Sequence, residues 1–296
     1  MKFMTNEVEL NDINASSISV IMVSYMTGAA LFKAINHVLL DTQISELIII
    51  DNGNPEQVRE KLFLLAKSYG HIKIKTGHGN IGFSRGCNYG AKIASGNYLL
   101  FLNPDALITK NSATKLMNFG KNLKRPWITG GMLINSKGEE QRGSRRGEVT
   151  LFSSLLTVLH LGKKTIHQES NPLPSNAIPC SAVSGALLMI DKSSFQIVNG
   201  FDEDFFLHVE DLDICKRVIK KGGDVYFLPN ATAMHYGATS DIKKIKVELE
   251  KLRGFKKYFI KHRKYKLEII LIYISLPFMA FYFLCKAAFS SNTKTY

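Results

Sequence analysis

The sequence has few cysteines, no internal repeat and no low-complexity segment among its 296 residues. The four cysteines are scattered and form neither a CxxC pair nor a spacing typical of metal ligands: Cys87, Cys180, Cys215 and Cys285. This arrangement argues against a zinc motif and a disulfide framework, and it favours a reducing compartment. The polar, acid-containing segment 1–17 is not typical of a signal or transit peptide. A globular fold with one large core or two small ones is expected.

Acidic residues are also scarce, since 25 Asp and Glu face 38 Lys and Arg, for a formal net charge of +13. Eleven of the basic residues lie between Lys243 and Lys266, a stretch with two acids. An uncharged run, 269–285, comes shortly after and would be roughly 25 Å long as a helix. This pairing favours an anionic membrane surface over nucleic acid as the partner, with the basic flank on the cytoplasmic side. The helix could span the bilayer at a tilt, lie on its surface or be buried in protein.

The first hundred residues alternate between apolar strands and helical segments. Strands are predicted over 18–24, 47–53, 72–75 and 98–102, with helices over 28–40, 55–69 and 84–95 between them. This order predicts an α/β fold with a parallel sheet and right-handed crossovers. In such sheets ligands bind at the carboxyl ends of the strands.

One strand end carries a candidate metal ligand. The strand 98–102 is followed by Asn103-Pro104-Asp105, and the proline ends the strand because it has no N–H to donate. A lone carboxylate at this edge suits Mn²⁺ or Mg²⁺, which would in turn hold phosphate oxygens. His235, at the end of the last predicted strand, is a candidate second ligand that would favour Mn²⁺ over Mg²⁺. The alternative is a plain turn, because Asn-Pro-Asp is common in turns.

Candidate nucleotide contacts lie on the same predicted edge. The glycine-rich stretch 77–90 begins with a match to GxGxxG, but it follows the third strand, whereas a dinucleotide fingerprint belongs after the first. We interpret it as a loop whose glycines let the backbone approach a nucleotide. Asp51 could accept a hydrogen bond from a nucleobase, or could simply cap a turn. The full set of candidates is Ser24, Tyr25, Asp51, Asn80, Gly82, Arg85, Asn88 and Asn103.

The second half of the chain offers basic and acidic candidates. The Gly-, Ser- and charge-rich stretch 135–147 predicts a mobile loop whose arginines could clamp a diphosphate, or simply be solvated: Arg142, Arg145 and Arg146. A helix is predicted over 151–161, and strands over 184–190, 224–228 and 231–235. Glu210, Asp211 and Asp213 open a helix that ends near 221. Acids in a first helical turn are favoured by the helix dipole, which is the alternative to a catalytic role.

The order and spacing of six motifs between 18 and 240 resemble inverting glycosyltransferases of family 2, most of all the bacterial rhamnosyltransferases of O-antigen and cell-wall assembly. The motifs are Gly79-Asn80-Ile81-Gly82-Phe83, Phe101-Leu102-Asn103-Pro104-Asp105, Ser184-Gly185-Ala186, Gly200-Phe201-Asp202-Glu203, the stretch 206–213 and His235-Tyr236-Gly237. The resemblance implies a GT-A fold, in which a Rossmann-like nucleotide-binding sheet is continuous with an acceptor half. The expected organisation is a polar segment 1–17, a glycosyltransferase domain 18–240, and a basic helix with an apolar membrane-associating tail over 241–296.

The resemblance also implies residue roles. The family's DXD metal motif falls on 103–105, where Asn replaces the first acid, so only Asp105 is carried over as a ligand for Mn²⁺ or Mg²⁺. Asp51 matches the position that reads the base. Asp211 matches the general base, with Glu210 beside it. Gly185 is grouped with the arginines on the acceptor side.

The implied reaction moves a sugar from a nucleoside diphosphate to a hydroxyl of a glycan or of a polyprenyl-diphosphate-linked acceptor. The expected donor is dTDP-rhamnose, with a UDP-hexose as the alternative, and the expected location is the cytoplasmic face of the inner (plasma) membrane. Three other readings remain open: an NAD-dependent oxidoreductase, a sugar nucleotidyltransferase and a non-enzymatic membrane-associated binding module. The first strand–helix turn argues against a nucleotidyltransferase, because it lacks a Gly-rich Arg/Lys loop.

Overall fold

The computed structural model describes residues 17–158, 166–170, 172–237 and 244–289. The helices of eight or more residues, and the short α6, are α1 (Ala29–Leu39), α2 (Glu56–Ser68), α3 (Phe83–Ile93), α4 (Ser112–Gly120), α5 (Leu151–Val158), α6 (Lys192–Ile197), α7 (Glu210–Lys220), α8 (Lys244–His262) and α9 (Glu268–Phe289). The strands are β1 (Ile18–Ser24), β2 (Ile44–Asp51), β3 (Ile72–Lys75), β4 (Tyr98–Leu102), β5 (Ala106–Ile108), β6 (Trp127–Ile134), β7 (Arg145–Arg146), β8 (Ile178–Pro179), β9 (Ala182–Val183), β10 (Leu187–Asp191) and β11 (Asp224–His235). The N-terminal segment 1–16 and the end of the helix expected over 151–161 lie outside the described residues.

Nine of the described strands form one mixed sheet in the order β3-β2-β1-β4-β10-β6-β11-β5, with β8 also paired to β11. The half from β3 to β4 is parallel, as predicted. Beyond β4 the sheet changes, because β10 runs antiparallel to both β4 and β6. The start of β10 therefore meets the end of β4, and residues after β4 and before β10 share one edge of the sheet.

The strands predicted over 224–228 and 231–235 are one continuous strand, β11. It pairs in parallel with β6, and the register shifts between Leu228 and Thr232. Pro229 lies in this irregularity. Because proline has no N–H to donate, the ladder is interrupted there without ending the strand. The strand then continues to His235, which pairs with Ala106 of β5.

Helices cover both faces of the sheet, which explains the continuous apolar runs of its strands. Val20 and Met22 of β1 belong to the core under α1, α2 and α4. Ile21 and Val23 belong to the core under α3, α7, α8 and α9. Alternate side chains of one strand therefore enter opposite cores.

The two C-terminal helices pack onto the second of these cores. Tyr258 and Phe259 of α8, and Ile272 and Phe283 of α9, are buried in it. The Phe255 ring stacks on those of Phe259 and Phe283, with ring centroids 5.9 and 6.0 Å apart. By length and composition, α9 is the one helix among the described residues that could cross a membrane.

Candidate active site

The structure brings the two predicted metal ligands together. Asp105 lies in the turn between β4 and β5, and His235 ends β11, which pairs with β5. The Asp105 Oδ1 atom is 3.2 Å from the His235 Nε2 atom. The backbone also joins them, because the N–H of Tyr236 donates to the Asp105 carbonyl over 3.1 Å.

A glutamine that the sequence did not indicate orients this histidine. The side-chain amide of Gln141 donates from Nε2 to the His235 carbonyl, so its Oε1 atom faces the His235 Nδ1 atom at 3.0 Å. With this amide orientation the Nδ1–H group donates to Gln141, which leaves Nε2 as the nitrogen available to a metal in the neutral ring. Metal-binding histidines are commonly held by such a bond from the other ring nitrogen. Gln141 lies in the polar stretch 135–147, where no pattern marks it.

These side chains fit a divalent cation. The Asp105 Oδ1 and His235 Nε2 atoms lie 3.2 Å apart, and the Asn103 amide Nδ2 atom lies 3.3 Å from the same nitrogen. No group of three or more His, Cys, Asp and Glu side chains gathers among the described residues. Mg²⁺ and Mn²⁺ sites that use substrate phosphates need only one or two protein ligands. Asp105 and His235 would be those ligands.

Asp211 lies at the start of α7 and is held by three donors. Its Oδ2 atom accepts from Arg146 Nη1 at 2.8 Å and from the Gly185 N–H at 3.3 Å. Its Oδ1 atom accepts from the N–H of Leu212 at 2.8 Å. Gly185 lies between β9 and β10, and a Cβ atom there would be in ordinary contact with the Asp211 Cβ atom, 3.5 Å away. The sequence placed Gly185 and Arg146 near an acceptor; here both contact the predicted base.

The neighbouring Glu210 is in a different electrostatic state. Burial, reinforced by the charge of Asp211, raises the pKa of Glu210 to about 8. Its Oε2 atom has no hydrogen-bond partner within the described ranges of the chain. At neutral pH the Glu210 carboxyl is therefore protonated, while Asp211 is paired with a cation. Of the two adjacent acids, Asp211 is the one suited to accept a proton.

The predicted arginine clamp is divided by the fold. Arg145 is buried and forms two 3.0 Å bonds to the carboxylate of Glu140, with its guanidinium 5.3 Å from the centroid of the Phe227 ring. Arg145 is therefore buried and engaged with Glu140, and a role in holding a diphosphate stays a prediction. Arg142 is exposed, and its Nη2 atom lies 2.6 Å from the Nε2 atom of His167.

The stretch 135–147 is tied to the sheet along its length, contrary to the mobile loop that its composition predicts. The N–H of Gln141 donates to the Leu133 carbonyl over 2.7 Å, and the Ser144 hydroxyl accepts from the Leu133 N–H over 3.0 Å. Composition does not reveal these bonds, because they join the stretch to β6. The tethers fix both Gln141 and Arg146.

Asp51 occupies the predicted sheet edge but is engaged within its own turn. Its carboxylate accepts from the backbone of Asn54 at 2.8 Å, from Gly53 and from the Thr76 hydroxyl at 2.9 Å. Burial alone would raise the pKa of Asp51, but these bonds lower it below its usual value. The turn role that the sequence left open is therefore present, and base recognition by Asp51 stays a prediction.

Ser24 and Tyr25 end β1 beside this turn. Ser24 is fully buried, and its hydroxyl accepts from the side-chain amide of Asn54 over 2.9 Å. The ring of Tyr25 lies over Gly53, 3.6 Å from the place that a Cβ atom would take. Tyr25 is thus the partly exposed member of the pair, whereas the buried Ser24 supports the turn 51–54 through its bond to Asn54. Asn54, which joins Ser24 to Asp51, was missed because its role depends on the fold.

At Gly82 the glycine-rich loop comes close to the segment before α7, and a nucleotide contact by Gly82 stays a prediction. A Cβ atom there would be 2.8 Å from the Phe206 carbonyl oxygen, and the N–H of Phe83 donates to that same carbonyl over 2.7 Å. Asn80 is exposed, and its Oδ1 atom accepts from the Gly82 N–H at 3.1 Å. Gly82 therefore fixes the loop to the segment before α7, and Asn80 shapes the turn.

Two further candidates on α3 face the segment 200–209. The amide of Asn88 exchanges two 2.9 Å bonds with the backbone of Phe201 and donates to Glu203. Asn88 thus ties α3 to the segment 200–209, and its contact with a nucleotide stays a prediction. Arg85 is exposed and lies 3.5 Å from the Glu203 carboxylate.

Contacts connect the metal pair to the predicted base. The N–H of Asn103 donates to the Ala186 carbonyl over 3.1 Å, and the N–H of the preceding Gly185 donates to Asp211. These contacts arise because β10 begins where β4 ends. The same edge therefore holds the two predicted metal ligands and the predicted base on neighbouring segments.

Comparison with known protein families agrees with this arrangement. Residues 19–184 match the family described as glycosyl transferase family 2, and residues 170–245 match one described as the N-terminal domain of galactosyltransferase. Similar proteins include rhamnosyltransferase WbbL of Escherichia coli K12, 23% identical over 226 residues, with 73% of this chain and 82% of that protein covered. The N-acetylglucosaminyl-diphospho-decaprenol L-rhamnosyltransferase of Mycobacterium tuberculosis is 22% identical over 75% of this chain and 76% of its own. Poly(ribitol-phosphate) beta-N-acetylglucosaminyltransferase TarP of Staphylococcus aureus is 32% identical over 71% of this chain and 68% of its own.

Solved structures share the fold. The chain is similar to GalNAc-T7 with UDP, GalNAc and Mn²⁺, with a TM-score of 0.60, 17% identity, and 83% of this chain but half (50%) of that one covered. It is also similar to the mannosyltransferase PcManGT of Pyrobaculum calidifontis with GDP-Man and Mn²⁺, with a TM-score of 0.57, 12% identity, and 93% and 76% covered. The predicted α/β fold is thereby confirmed as GT-A-like. Sequence family, fold and the grouping of the site residues agree: the chain belongs to glycosyl transferase family 2 and is a glycosyltransferase.

Proposed function

We propose that this glycosyltransferase moves rhamnose from dTDP-rhamnose to a hydroxyl of a polyprenyl-diphosphate-linked acceptor, with inversion at the anomeric carbon. The observation that carries the proposal is the placement of the Asp105–His235 pair and of Asp211 on neighbouring segments of one sheet edge. The relatives whose names specify rhamnosyl transfer support the donor. The alternatives are a UDP-hexose donor and a glycan acceptor. The similarity to TarP, whose name specifies N-acetylglucosaminyl transfer, supports these alternatives.

Donor binding would use the metal pair and the parallel half of the sheet. Asp105 and His235 would hold Mn²⁺ or Mg²⁺, and both solved relatives contain Mn²⁺. The cation would neutralise the charge that develops on the departing diphosphate. Tyr25 and Asp51 would meet the nucleoside, while Asn80, Arg85 and Asn103 would line the path toward the diphosphate.

Proton removal would use Asp211. As the acceptor hydroxyl attacks the anomeric carbon, its proton would pass to the Asp211 carboxylate while the bond to the diphosphate breaks. Arg146 and the Gly185 N–H hold this carboxylate in one orientation. Glu210, neutral and buried, adds no second charge beside it. Arg142, exposed on the same loop, is a candidate contact for acceptor phosphates.

Membrane association would use the segment 241–296. The basic run and the apolar helix α9 support a place at the cytoplasmic face of the inner membrane, where a lipid-linked acceptor is found.

Two substitutions test the two halves of the proposed reaction separately. Asp105→Ala tests donor binding, and Asp211→Asn tests proton removal from the acceptor.

In the deciding experiment, the full chain is incubated with Mn²⁺, a polyprenyl-diphosphate-linked acceptor and each of a panel of labelled nucleotide sugars. The expected result is selective consumption of dTDP-rhamnose and a product whose anomeric configuration, read by NMR, is opposite to that of the donor. Retention of configuration would contradict the role of Asp211. Preference for another sugar would contradict the donor assignment but leave the site intact.

A further inference from the structure

The backbone immediately before Asp211 is held in an unfavourable conformation. His208 and Val209 have φ angles of 66° and 73°, in the left-handed region. That region is costly for a residue with a Cβ atom, and most of all for a β-branched one such as valine. Two such residues in succession persist only when surrounding structure supports them. The position of the proposed base therefore depends on what packs against this turn.

Helix α8 supplies that support. A Cβ atom at Gly254 would lie 3.0 Å from Val209 Cγ2 and 3.1 Å from the His208 carbonyl oxygen. The helix can approach the turn this closely because the residue there is glycine. Glycine inside a helix is otherwise unfavourable, since it has the greatest backbone freedom to lose. Gly254 thus lowers the helix propensity of α8 but allows the helix to contact the turn at 208–209.

The same helix also binds charged and polar groups on both sides of the turn. Before it, Lys257 donates to the Asp204 carbonyl, and Lys261 contacts the Asp202 carboxylate at 2.5 Å. After it, Asp213 is fully buried and receives Lys261 at 2.7 Å and His262 at 2.9 Å. Hydrogen bonds and charges from these partners and Arg217 outweigh burial, so the pKa of Asp213 is lowered to about 2. The base thus sits between two anchor points on α8.

Helix α9, which packs on α8, is apolar on two sides. Its inner side is buried against the protein, with Ile272, Met279 and Phe283 in the core. Its outer side exposes a row of large apolar side chains: Leu271 (58% exposed), Ile274 (60%), Phe278 (64%) and Phe281 (71%). Contiguous apolar surface of this kind marks an interaction site.

The charges beside this outer face indicate an anionic bilayer as the partner. The segment before α9 exposes Tyr265 and Leu267 among three basic residues: Arg263, Lys264 and Lys266. Apolar side chains bordered by Lys, Arg and Tyr are typical of helices that lie in the interface of anionic lipids. A spanning position would surround α9 with lipid and would remove Ile272 and Phe283 from the core. An in-plane position keeps that core intact.

We propose that the outer face of α9 docks in the plane of an anionic phospholipid bilayer, and that α8 transmits this contact to the turn that positions Asp211. Gly254, Lys257 and Lys261 are positioning residues in this view. Bilayer contact stabilises α9 and, through it, the packing of α8 on the turn. The inference rests on the proposed role of Asp211 and adds a condition, namely that the enzyme is fully assembled at the membrane surface.

The test compares three samples of the full chain: one without vesicles, one with phosphatidylcholine vesicles, and one with vesicles that also contain anionic phosphatidylglycerol. We expect cosedimentation with the anionic vesicles and slower amide hydrogen exchange across 208–213. With dTDP-rhamnose, Mn²⁺ and a polyprenyl-diphosphate-linked acceptor added to each sample, transfer of rhamnose to the acceptor and release of dTDP should rise about tenfold, within the usual range for coupling between two sites. Equal binding to both vesicle types, or unchanged exchange across 208–213, would overturn the proposal.

Two variants separate docking from transmission. Ile274→Glu with Phe278→Glu, on the exposed face, should lose vesicle binding and keep the vesicle-free rate. Gly254→Ala should keep vesicle binding but lose the vesicle-dependent change in exchange. Gly70→Ala is the matched control, because a Cβ atom there meets open space.

Two other outcomes are informative. A dimer in solution whose contact buries the outer face of α9 would replace the bilayer by a second copy and refute the proposal. Slower exchange on vesicles without turnover of any nucleotide sugar would count against the proposed glycosyl transfer and not against the coupling.

Discussion

Arg146 donates from Nη1 to the Oδ2 atom of Asp211 over 2.8 Å, so the proposed base carries a fixed cationic partner. Five residues earlier on the same loop, Gln141 orients the predicted metal ligand His235. One loop thus contacts both the predicted base and a predicted metal ligand. Displacement of this loop would disturb both donor and acceptor chemistry.

Replacement of the base should separate binding from transfer. Asp211→Asn keeps the shape of the side chain but cannot accept the proton at neutral pH, so we expect at least about a hundredfold loss of transfer. Nucleotide affinity, measured by calorimetry, should be unchanged. Asp224→Asn, at the start of β11, is the control. Normal turnover in the Asp211 variant would remove that residue from the mechanism.

Replacement of the cationic partner should impair the acceptor half-reaction. Arg146→Gln removes a charged hydrogen bond to Asp211, of a kind that contributes about 1.5–3 kcal/mol. We therefore expect kcat/KM for the acceptor to fall about tenfold to a hundredfold, with Arg146→Lys retaining part of the activity. Donor KM should not change. The partly exposed Arg59→Gln on α2 is the comparison, and equal effects of the two substitutions would contradict a specific role.

Loss of the histidine's support should weaken cation binding. Gln141→Leu removes the acceptor that fixes the His235 tautomer, so Mn²⁺ affinity should fall about tenfold or more. Electron paramagnetic resonance of free Mn²⁺ measures this without turnover. Asp105→Ala should abolish metal-dependent nucleotide binding altogether. Undiminished Mn²⁺ binding in both variants would show that the cation is held elsewhere.

The elevated pKa of Glu210 predicts a pH-dependent stability. In the folded protein this carboxyl keeps its proton up to about pH 8, whereas an ordinary glutamate loses it near 4.5. The folded state therefore binds more protons between these values, and the contribution of Glu210 to stability falls as pH rises through that window. Glu210→Gln should accordingly raise Tm relative to the parent chain above pH 8, by several degrees on the scale of roughly 2–4 °C per kcal/mol.

The comparison is made by calorimetry at two pH values. Below pH 4.5 the variant and the parent chain should have nearly equal Tm values, since both then carry a neutral side chain at 210. Glu203→Gln, an exposed acid on the preceding segment, should show no such dependence. A stability gain that is equal at both pH values would assign the effect to packing and not to ionisation.

Much of the fold was readable from local pattern. The buried strands of the first half, their helices and the turn at Asn103-Pro104-Asp105 follow from apolar runs and from proline, which act over a few residues. The strand directions in the mixed half of the sheet could not be predicted, because a strand that runs antiparallel between β4 and β6 has the same apolar pattern as a parallel one. The sequence predicts two strands where the structure has the single strand β11. Pro229 suggests a break, but it interrupts the ladder without ending the strand.

The sequence by itself determined which chemical groups are available: a carboxylate at 105, an imidazole at 235 and adjacent acids at 210 and 211. Only the tertiary structure decided how each is used. It paired Asp211 with Arg146, gave Arg145 to Glu140, and turned Gln141 toward His235, through contacts between residues far apart in the chain. Side-chain roles of this kind depend on burial and on charge at a few ångströms, which strand packing sets and local sequence does not.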